Sequence, residues 1–232
     1  MKFDFPEPLN DLCYLEQTLT GVFGAPGTGK TNLCLVLSVN CVKNGGKVVY
    51  IDTEGGFSAE RLKQISGSKG DTILNSIILL EPKNFQDQGK IIRDLENTDA
   101  NIIILDSSVA LYRLEYPESE KNNPKKQQRV ELSEHNRELS RQLSVLSDIS
   151  RYRKIPVVVT AHTYKNWDTG DNEIVGGDPL KYWSKCLLFI EKTGKTGERK
   201  ATIIKHRSQP EGKSTKFDIV GDGIKPSGFK IF

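Results

Sequence analysis

The feature that most constrains this chain is a glycine-rich stretch near its amino end, Gly24-Ala25-Pro26-Gly27-Thr28-Gly29-Lys30-Thr31. It matches G-x-x-x-x-G-K-[ST], the phosphate-binding loop. Glycines take backbone angles that turn successive N–H groups inward as a nest for an anion, and the dipole of the following helix adds to that attraction. The apolar residues 20–23 before the loop and the helical pattern after it favour this interpretation over an ordinary glycine-rich turn.

The loop predicts a nucleotide triphosphate and Mg²⁺ as cofactors. Lys30 is expected to reach the β- and γ-phosphates, and the Thr31 hydroxyl is expected to hold the metal. His162 ends a later strand, where it would touch the γ-phosphate or form a structural hydrogen bond; the sequence leaves both open. The predicted ATP-binding residues are Gly24, Ala25, Pro26, Gly27, Thr28, Gly29, Lys30, Thr31, Asn32 and His162.

Continuous apolar runs alternate with helical patterns through most of the chain, which predicts an α/β fold with a mostly parallel sheet and helices on both faces. Strands are expected at 47–52, 76–80, 101–106 and 157–160. Helices are expected at 31–44, 58–65, from 84 onward and over 131–153. After residue 184 short strands at 186–191, 201–205 and 217–220 follow one another through tight turns, so a C-terminal antiparallel extension is predicted at one sheet edge.

Two carboxylates follow predicted parallel strands, whose carboxyl ends meet at one rim of the sheet. Asp106 ends an hhhhD run and is predicted to hold Mg²⁺ together with Thr31. Glu54 is predicted to orient or deprotonate the attacking water. Asp52 competes with Glu54 for that role, and the sequence does not separate the two.

Length and charge fit one large domain of the soluble type. The chain has 232 residues, a net charge of +3 and a pI of about 8.5, so nucleic-acid binding would have to come from local clusters. Residues 1–19 are predicted to be a short N-terminal segment and 20–232 the core domain. Neither a signal peptide nor a membrane span is expected, and unpaired cysteines favour a reducing, cytoplasmic location.

Taken together, the motifs resemble the RecA/RadA recombinase superfamily, most closely its short archaeal paralogues. The resemblance covers about residues 20–226. It is carried by the phosphate loop, by Tyr50-Ile51-Asp52-Thr53-Glu54-Gly55-Gly56-Phe57, by the run 105–113, by Val175-Gly176-Gly177 and by Lys205-His206-Arg207-Ser208. It implies a RecA-like P-loop ATPase core in which Glu54 is the catalytic carboxylate and Asp106 the metal-binding acid. Lys205 and Arg207 would offer cations to the nucleotide of a neighbouring subunit, which implies a homo-oligomer.

The resemblance also implies two DNA-binding loops, at 116–129 and 163–177. Lys125, Lys126 and Arg129 in the first and Lys165 and Trp167 in the second are the expected contacts, because cations neutralise phosphates and aromatic rings stack on bases. The chain departs from the full-length recombinases in three ways: few residues precede the core, Ala161-His162 replaces Asn-Gln, and the second loop is short.

These departures favour a recombination accessory or mediator that binds single-stranded and branched DNA, acts with the main recombinase RadA and hydrolyses ATP weakly without needing DNA. The alternative is an ATPase switch of the KaiC or helicase type that controls a protein partner rather than DNA.

Overall fold

The computed structural model describes residues 4–115, 125–165 and 172–228, with the backbone alone for 125–133. Within that part of the chain, no helix combines the length and the apolar character needed to cross a bilayer.

Six strands run parallel and form the body of the sheet. They are β1 (Leu19–Gly24), β2 (Val48–Asp52), β3 (Ile77–Leu80), β4 (Ile102–Asp106) and β5 (Val157–Lys165), followed, after the short antiparallel β6 (Asn172–Ile174), by β7 (Cys186–Lys192). Side chains of β1, β2 and β4 are buried along their whole length, as continuous apolar runs predict for strands covered on both faces.

The carboxyl part of the chain adds three antiparallel strands, β8 (Glu198–His206), β9 (Ser214–Val220) and β10 (Gly223–Pro226). The strand order is β10-β9-β8-β7-β1-β5-β4-β2-β3, with β6 paired to β5. The predicted α/β class and the antiparallel extension at one edge are therefore confirmed. The turn at 194–197 joins β7 to β8, as the sequence predicted.

The described chain has seven α-helices: α1 (Lys30–Lys43), α2 (Ala59–Ser66), α3 (Gly70–Leu74), α4 (Phe85–Asp94), α5 (Ala110–Leu114), α6 (Lys125–Arg153) and α7 (Asp178–Trp183). The sequence fits their starts, because the side chains of Ser58 and Asn84 accept the N–H groups of Arg61 and Asp87. The predicted start of α6 near 131 is wrong: backbone hydrogen bonding extends the helix to Lys125, so 125–129 is helical rather than loop.

Two apolar cores lie on the two faces of the sheet. One contains α1 and the N-terminal segment, through Phe5, Leu9 and Leu12, and the other contains α4 and α6. Because both faces are covered, the polar groups that end the strands gather at the rims. Gly24 of β1 is level with His162 of β5, and Asp52 of β2 is level with Asp106 of β4.

Candidate functional site

The phosphate loop joins β1 to α1 in a conformation that depends on glycine. Gly27 and Gly29 have φ angles of 71° and 98°, which side-chain-bearing residues rarely adopt. A Cβ at Gly24 would run into the carbonyl oxygen of Ile190, and one at Gly29 would lie 2.5 Å from the Ile219 side chain. The loop is therefore packed closely against β7 and against β9 of the antiparallel extension.

Lys30, the first residue of α1, is buried at 5% exposure. Its Nζ donates to the carbonyl oxygens of Gly24 and Ala25, at 2.9 and 3.1 Å, and lies 3.3 Å from Nδ1 of His162. Burial lowers the pKa of the Lys30 ammonium, and the negative charges of Asp106 and Glu54 oppose that shift. Among the described residues no carboxylate forms an ion pair with Lys30, which leaves a buried cation suited to an anion. The loop and this cation thus fit a triphosphate.

Asp106 ends β4 beside the loop and is 4% exposed. One of its carboxylate oxygens accepts the hydroxyl of Tyr50 at 2.9 Å, and the other accepts the hydroxyl of Thr160. These bonds orient the carboxylate while leaving lone pairs free. The half-buried Thr31 side chain lies against Gly56, in the turn that follows β2. A carboxylate and a hydroxyl are oxygen ligands of the kind Mg²⁺ prefers, so Asp106 and Thr31 fit the predicted metal site.

Asp52 and Glu54 differ in their hydrogen-bond partners. Asp52 is buried, and its two oxygens accept the backbone N–H groups of Glu54, Gly56 and Phe57, at 2.8 to 3.1 Å. Asp52 therefore shapes the turn after β2. Glu54 points out of that turn, and its Oε1 accepts the hydroxyl of Ser107 and lies 2.7 Å from Nε2 of His162. The arrangement leaves Glu54 as the acid with a side chain available for chemistry.

His162 connects the loop lysine to that acid. The Lys30 ammonium can only donate, so Nδ1 of His162 accepts and Nε2 carries the proton that is donated to Glu54. The hydrogen bond from His162 is the main cause that lowers the pKa of the Glu54 carboxyl; the Ser107 hydroxyl and the charge of Lys30 lower it further, and burial opposes them. The prediction that His162 ends its strand is wrong, because β5 continues to Lys165. His162 instead lies within β5, level with Gly24 of β1, and this register places it beside both groups.

Two arginines near the loop were missed by sequence reasoning. Arg199 of β8 donates from Nε to the carbonyl of Thr28 at 3.1 Å and from Nη2 to that of Gly27 at 3.4 Å. Arg61 of α2 donates from Nε to Oδ1 of Asn32 at 2.9 Å and from its Nη atoms to the carbonyls of Val220 and Gly221. No local pattern signals either contact, because each joins segments far apart in the sequence.

Lys205 and Arg207 lie at the opposite end of the sheet. Lys205 is paired with Leu187 near the start of β7, whereas the loop follows the end of β1. Lys205 Nζ donates to the carbonyl of Lys181 at 2.7 Å, and Arg207 forms an ion pair with Glu16 at 2.8 Å. Arg207 also lines a cavity of about 1520 Å³ that includes Tyr182 and Trp183. Neither cation can serve the phosphate loop of its own subunit.

The predicted DNA contacts are only partly described. Lys165 is exposed at the end of β5, on the rim that also carries His162, and pairs with Asn172 of β6. Lys125, Lys126 and Arg129 fall in the first turns of α6, where only the backbone is described, and Trp167 lies outside the described residues.

Comparison with known proteins gives consistent matches over nearly the whole chain. The Rad51 family model matches residues 13–227. DNA repair and recombination protein RadB of Methanobrevibacter smithii is 40% identical over 216 residues, which cover 89% of this chain and 87% of that protein. The protein of the same name from Methanococcoides burtonii is 38% identical over 225 residues, covering 94% and 95%. A solved structure described as the crystal structure of the RadB recombinase has a TM-score of 0.76 and 34% identity, covering 95% of this chain and 96% of that one.

Proposed function

Because the chain belongs to the Rad51 family and, within it, to the RadB proteins, as the resemblance of its motifs predicted, we propose that it is an ATP-binding accessory protein of DNA repair and recombination. It binds ATP with Mg²⁺ at the phosphate loop, binds DNA through the segments 116–129 and 163–177, and hydrolyses ATP slowly. It acts beside the main recombinase rather than exchanging strands efficiently itself.

The buried Lys30 is the observation that carries nucleotide binding. It is held at the carboxyl end of β1, within a loop whose glycines at 27 and 29 open the backbone toward an anion. A phosphate would replace the carbonyl oxygens of Gly24 and Ala25 as the partner of its Nζ. Bound Mg²⁺, held by Thr31 and Asp106, would neutralise the charge that builds up on the phosphates.

The chain's own residues support slow hydrolysis. Glu54 is oriented by Ser107 and His162 and is held ionised, so it can orient an attacking water and accept its proton. Lys205 and Arg207 lie at the opposite end of the sheet from the phosphate loop of their own subunit. An isolated subunit would therefore hydrolyse ATP without the help of their charges. Cations supplied by a neighbour are worth about 10³–10⁵ in rate in related phosphoryl-transfer enzymes, which accounts for weak turnover by a single subunit.

The accessory role rests on this chain's differences from the strand-exchanging pattern. Ala161-His162 stands where that pattern has Asn-Gln, and the hydrogen bonds of His162 to Lys30 and Glu54 tie the end of β5 to the nucleotide site. Lys165 lies three residues after His162 on the same strand, so β5 would connect the candidate DNA contact to the nucleotide site.

Lys30→Ala tests the nucleotide assignment. Loss of the charge-assisted bonds to phosphate, worth about 1.5–3 kcal/mol each, is expected to weaken ATP binding by roughly 10–100-fold or more. Fluorescent ATP is titrated against wild type, Lys30→Ala and Lys43→Ala, the last being an exposed lysine on the same helix. Equal affinity in all three would remove the phosphate-loop assignment. ATP binding by wild type with no salt-dependent DNA binding would instead favour a nucleotide switch that acts on a protein partner.

A further inference from the structure

A cluster of three metal-ligating side chains lies away from the phosphate loop, at the amino end of β7. Cys13, Cys186 and His206 bring one ligand atom each to within 4.8 Å of one another. Cys186 begins β7 and is paired with His206 at the end of β8. Cys13 reaches them from the N-terminal segment, where its N–H donates to the carbonyl of Leu9. Three separate segments of the chain therefore meet at this point.

The two sulfur atoms are 3.6 Å apart, both residues are buried, and both are free thiols. A disulfide bond would place them at about 2.05 Å. Two thiolates bound to one tetrahedral zinc ion at about 2.3 Å are separated by roughly 3.7–3.8 Å. The observed separation thus already matches the edge of a tetrahedral thiolate site.

His206 supplies a second, independent observation. Its Nδ1 accepts the backbone N–H groups of Ser208 and Gln209, at 3.0 and 3.1 Å. Its Nε2 is buried and has no hydrogen-bond partner among the described residues. A buried ring nitrogen without a partner is uncommon in proteins and calls for a bound water or ion.

We propose that Cys13, Cys186 and His206 form a binding site for a thiophilic divalent cation such as Zn²⁺, which fastens the N-terminal segment to β7 and β8. Two thiolates and an imidazole are ligands that Zn²⁺ favours, and water would complete four-fold coordination. The site is separate from the nucleotide site, which follows the other end of β1. Its expected effect is structural, because the ion joins residues 13, 186 and 206.

Binding requires the protons to be redistributed. Each thiol releases its proton to solvent as its sulfur bonds to the metal. The neutral ring, protonated on Nε2 while Nδ1 accepts, must expose the Nε2 lone pair, so Nε2 loses a proton and Nδ1 gains one. The Ser208 hydroxyl lies 3.3 Å from Nδ1 and can accept that new N–H. The two backbone N–H groups belong to a surface turn, where water can replace Nδ1 as their acceptor. Metal binding therefore alters the turn next to Arg207.

Cobalt provides a direct spectroscopic test, because Co²⁺ bound to thiolates in a tetrahedral site gives charge-transfer bands and intense d–d bands, whereas octahedral aqueous Co²⁺ has only weak d–d absorption. The full chain is reduced, stripped of metal and titrated with Co²⁺, then with Zn²⁺ to displace it. We expect one equivalent to bind, with loss of the thiolate bands in Cys13→Ser and Cys186→Ser and weaker binding in His206→Asn. Cys41→Ser, which removes a buried thiol outside the cluster, is expected to bind as wild type does.

A second measurement uses wild type alone, so that misfolding of a variant cannot decide the outcome. With Zn²⁺ bound, Cys13 and Cys186 are expected to resist alkylation in partly denaturing buffer, as mapped by mass spectrometry, and the melting temperature is expected to rise until chelator is added. Thiolate bands that persist in both serine variants would overturn the proposal. A reduced wild-type chain that binds neither Co²⁺ nor Zn²⁺ would overturn it as well.

Discussion

The cationic side chains at the two ends of the parallel strands differ in burial and in their partners. At the carboxyl end Lys30 is buried beside Asp106, Glu54 and His162, and the chain has already brought the groups of the candidate site together. At the amino end Arg207 and Lys205 are exposed and occupied by the chain's own Glu16 and by a helix carbonyl. The groups of the first site already lie together, and Lys30 has only loop carbonyls to exchange for a ligand, whereas Arg207 would have to leave its ion pair with Glu16 before it could act on anything else.

The sharpest test of the candidate site at the carboxyl end is Glu54→Gln. Removing the general base is expected to lower ATP turnover by about 10²–10⁴-fold while ATP affinity stays near that of wild type. Single-turnover hydrolysis and fluorescent-ATP titration measure the two quantities separately. Turnover that survives in Glu54→Gln would mean that another group handles the water.

Asp52→Asn is the matched control for that experiment. Its amide oxygen can replace only part of the hydrogen bonding to the three N–H groups, so the variant is expected to lose stability of the turn, with a smaller effect on turnover than Glu54→Gln. The reverse ranking of the two variants would make Asp52 the catalytic acid.

Arg207→Ala tests whether the amino end contributes to catalysis in a neighbouring subunit. Arg207 is one of two cations assigned to this role, and Lys205 stays in the variant. Losing one charge-assisted hydrogen bond in the transition state is worth about 1.5–3 kcal/mol, so turnover by an assembled form is expected to fall roughly 10–100-fold. The isolated subunit should be unaffected, since its own loop is out of reach. Lys213→Ala, which removes another cation bound to main-chain carbonyls, serves as the control. An assembled Arg207→Ala that hydrolyses ATP at the wild-type rate would remove the role in trans.

Lys165→Ala addresses the candidate DNA contact on the loop-bearing rim. Loss of one phosphate contact is expected to weaken single-stranded DNA binding several-fold and to reduce the slope of log affinity against log salt by about 0.7. Binding isotherms at several salt concentrations give both values for wild type and Lys165→Ala. The control is Lys83→Ala, which changes an exposed lysine that follows β3, the edge strand of the sheet. An unchanged slope would place the DNA elsewhere.

The smallest expected effect concerns the pKa of Glu54. Because that pKa is lowered in the folded chain, its contribution to the free energy of unfolding is fully present above the usual value of 4.5 and is lost as pH falls through the lowered value. His162→Ala removes the main cause and should return the carboxyl pKa toward 4.5. Carboxyl NMR titration of both proteins measures the difference, and identical titrations would mean that His162 does not hold the acid ionised.

Local patterns predicted most of the fold because local physics decides it. Continuous apolar runs identified the parallel strands, and Ser58 and Asn84 identified helix starts through their caps. The side-chain partners at the rim were not accessible in that way. Nothing in the letters around Asp52 says that its oxygens turn back onto the N–H groups of residues 54–57, or that Arg199 reaches the loop at Gly27 and Thr28. The Asp52 contacts are local, but they depend on the backbone path of the turn after β2. The Arg199 contacts follow from strand order, which places residues distant in sequence beside one another.

The close approach of Ile219 to Gly29 places the antiparallel extension against the phosphate loop, so under the proposed function the extension takes part in nucleotide binding. Ile219 of β9 packs against the loop, and Arg61 of α2 donates to the carbonyl of Val220 at the end of the same strand. The C-terminal strands therefore help to fix the conformation of the loop. Exchanging those strands for the corresponding strands of a relative would therefore change the affinity for the phosphates of a nucleotide, even if residues 24–31 were unchanged.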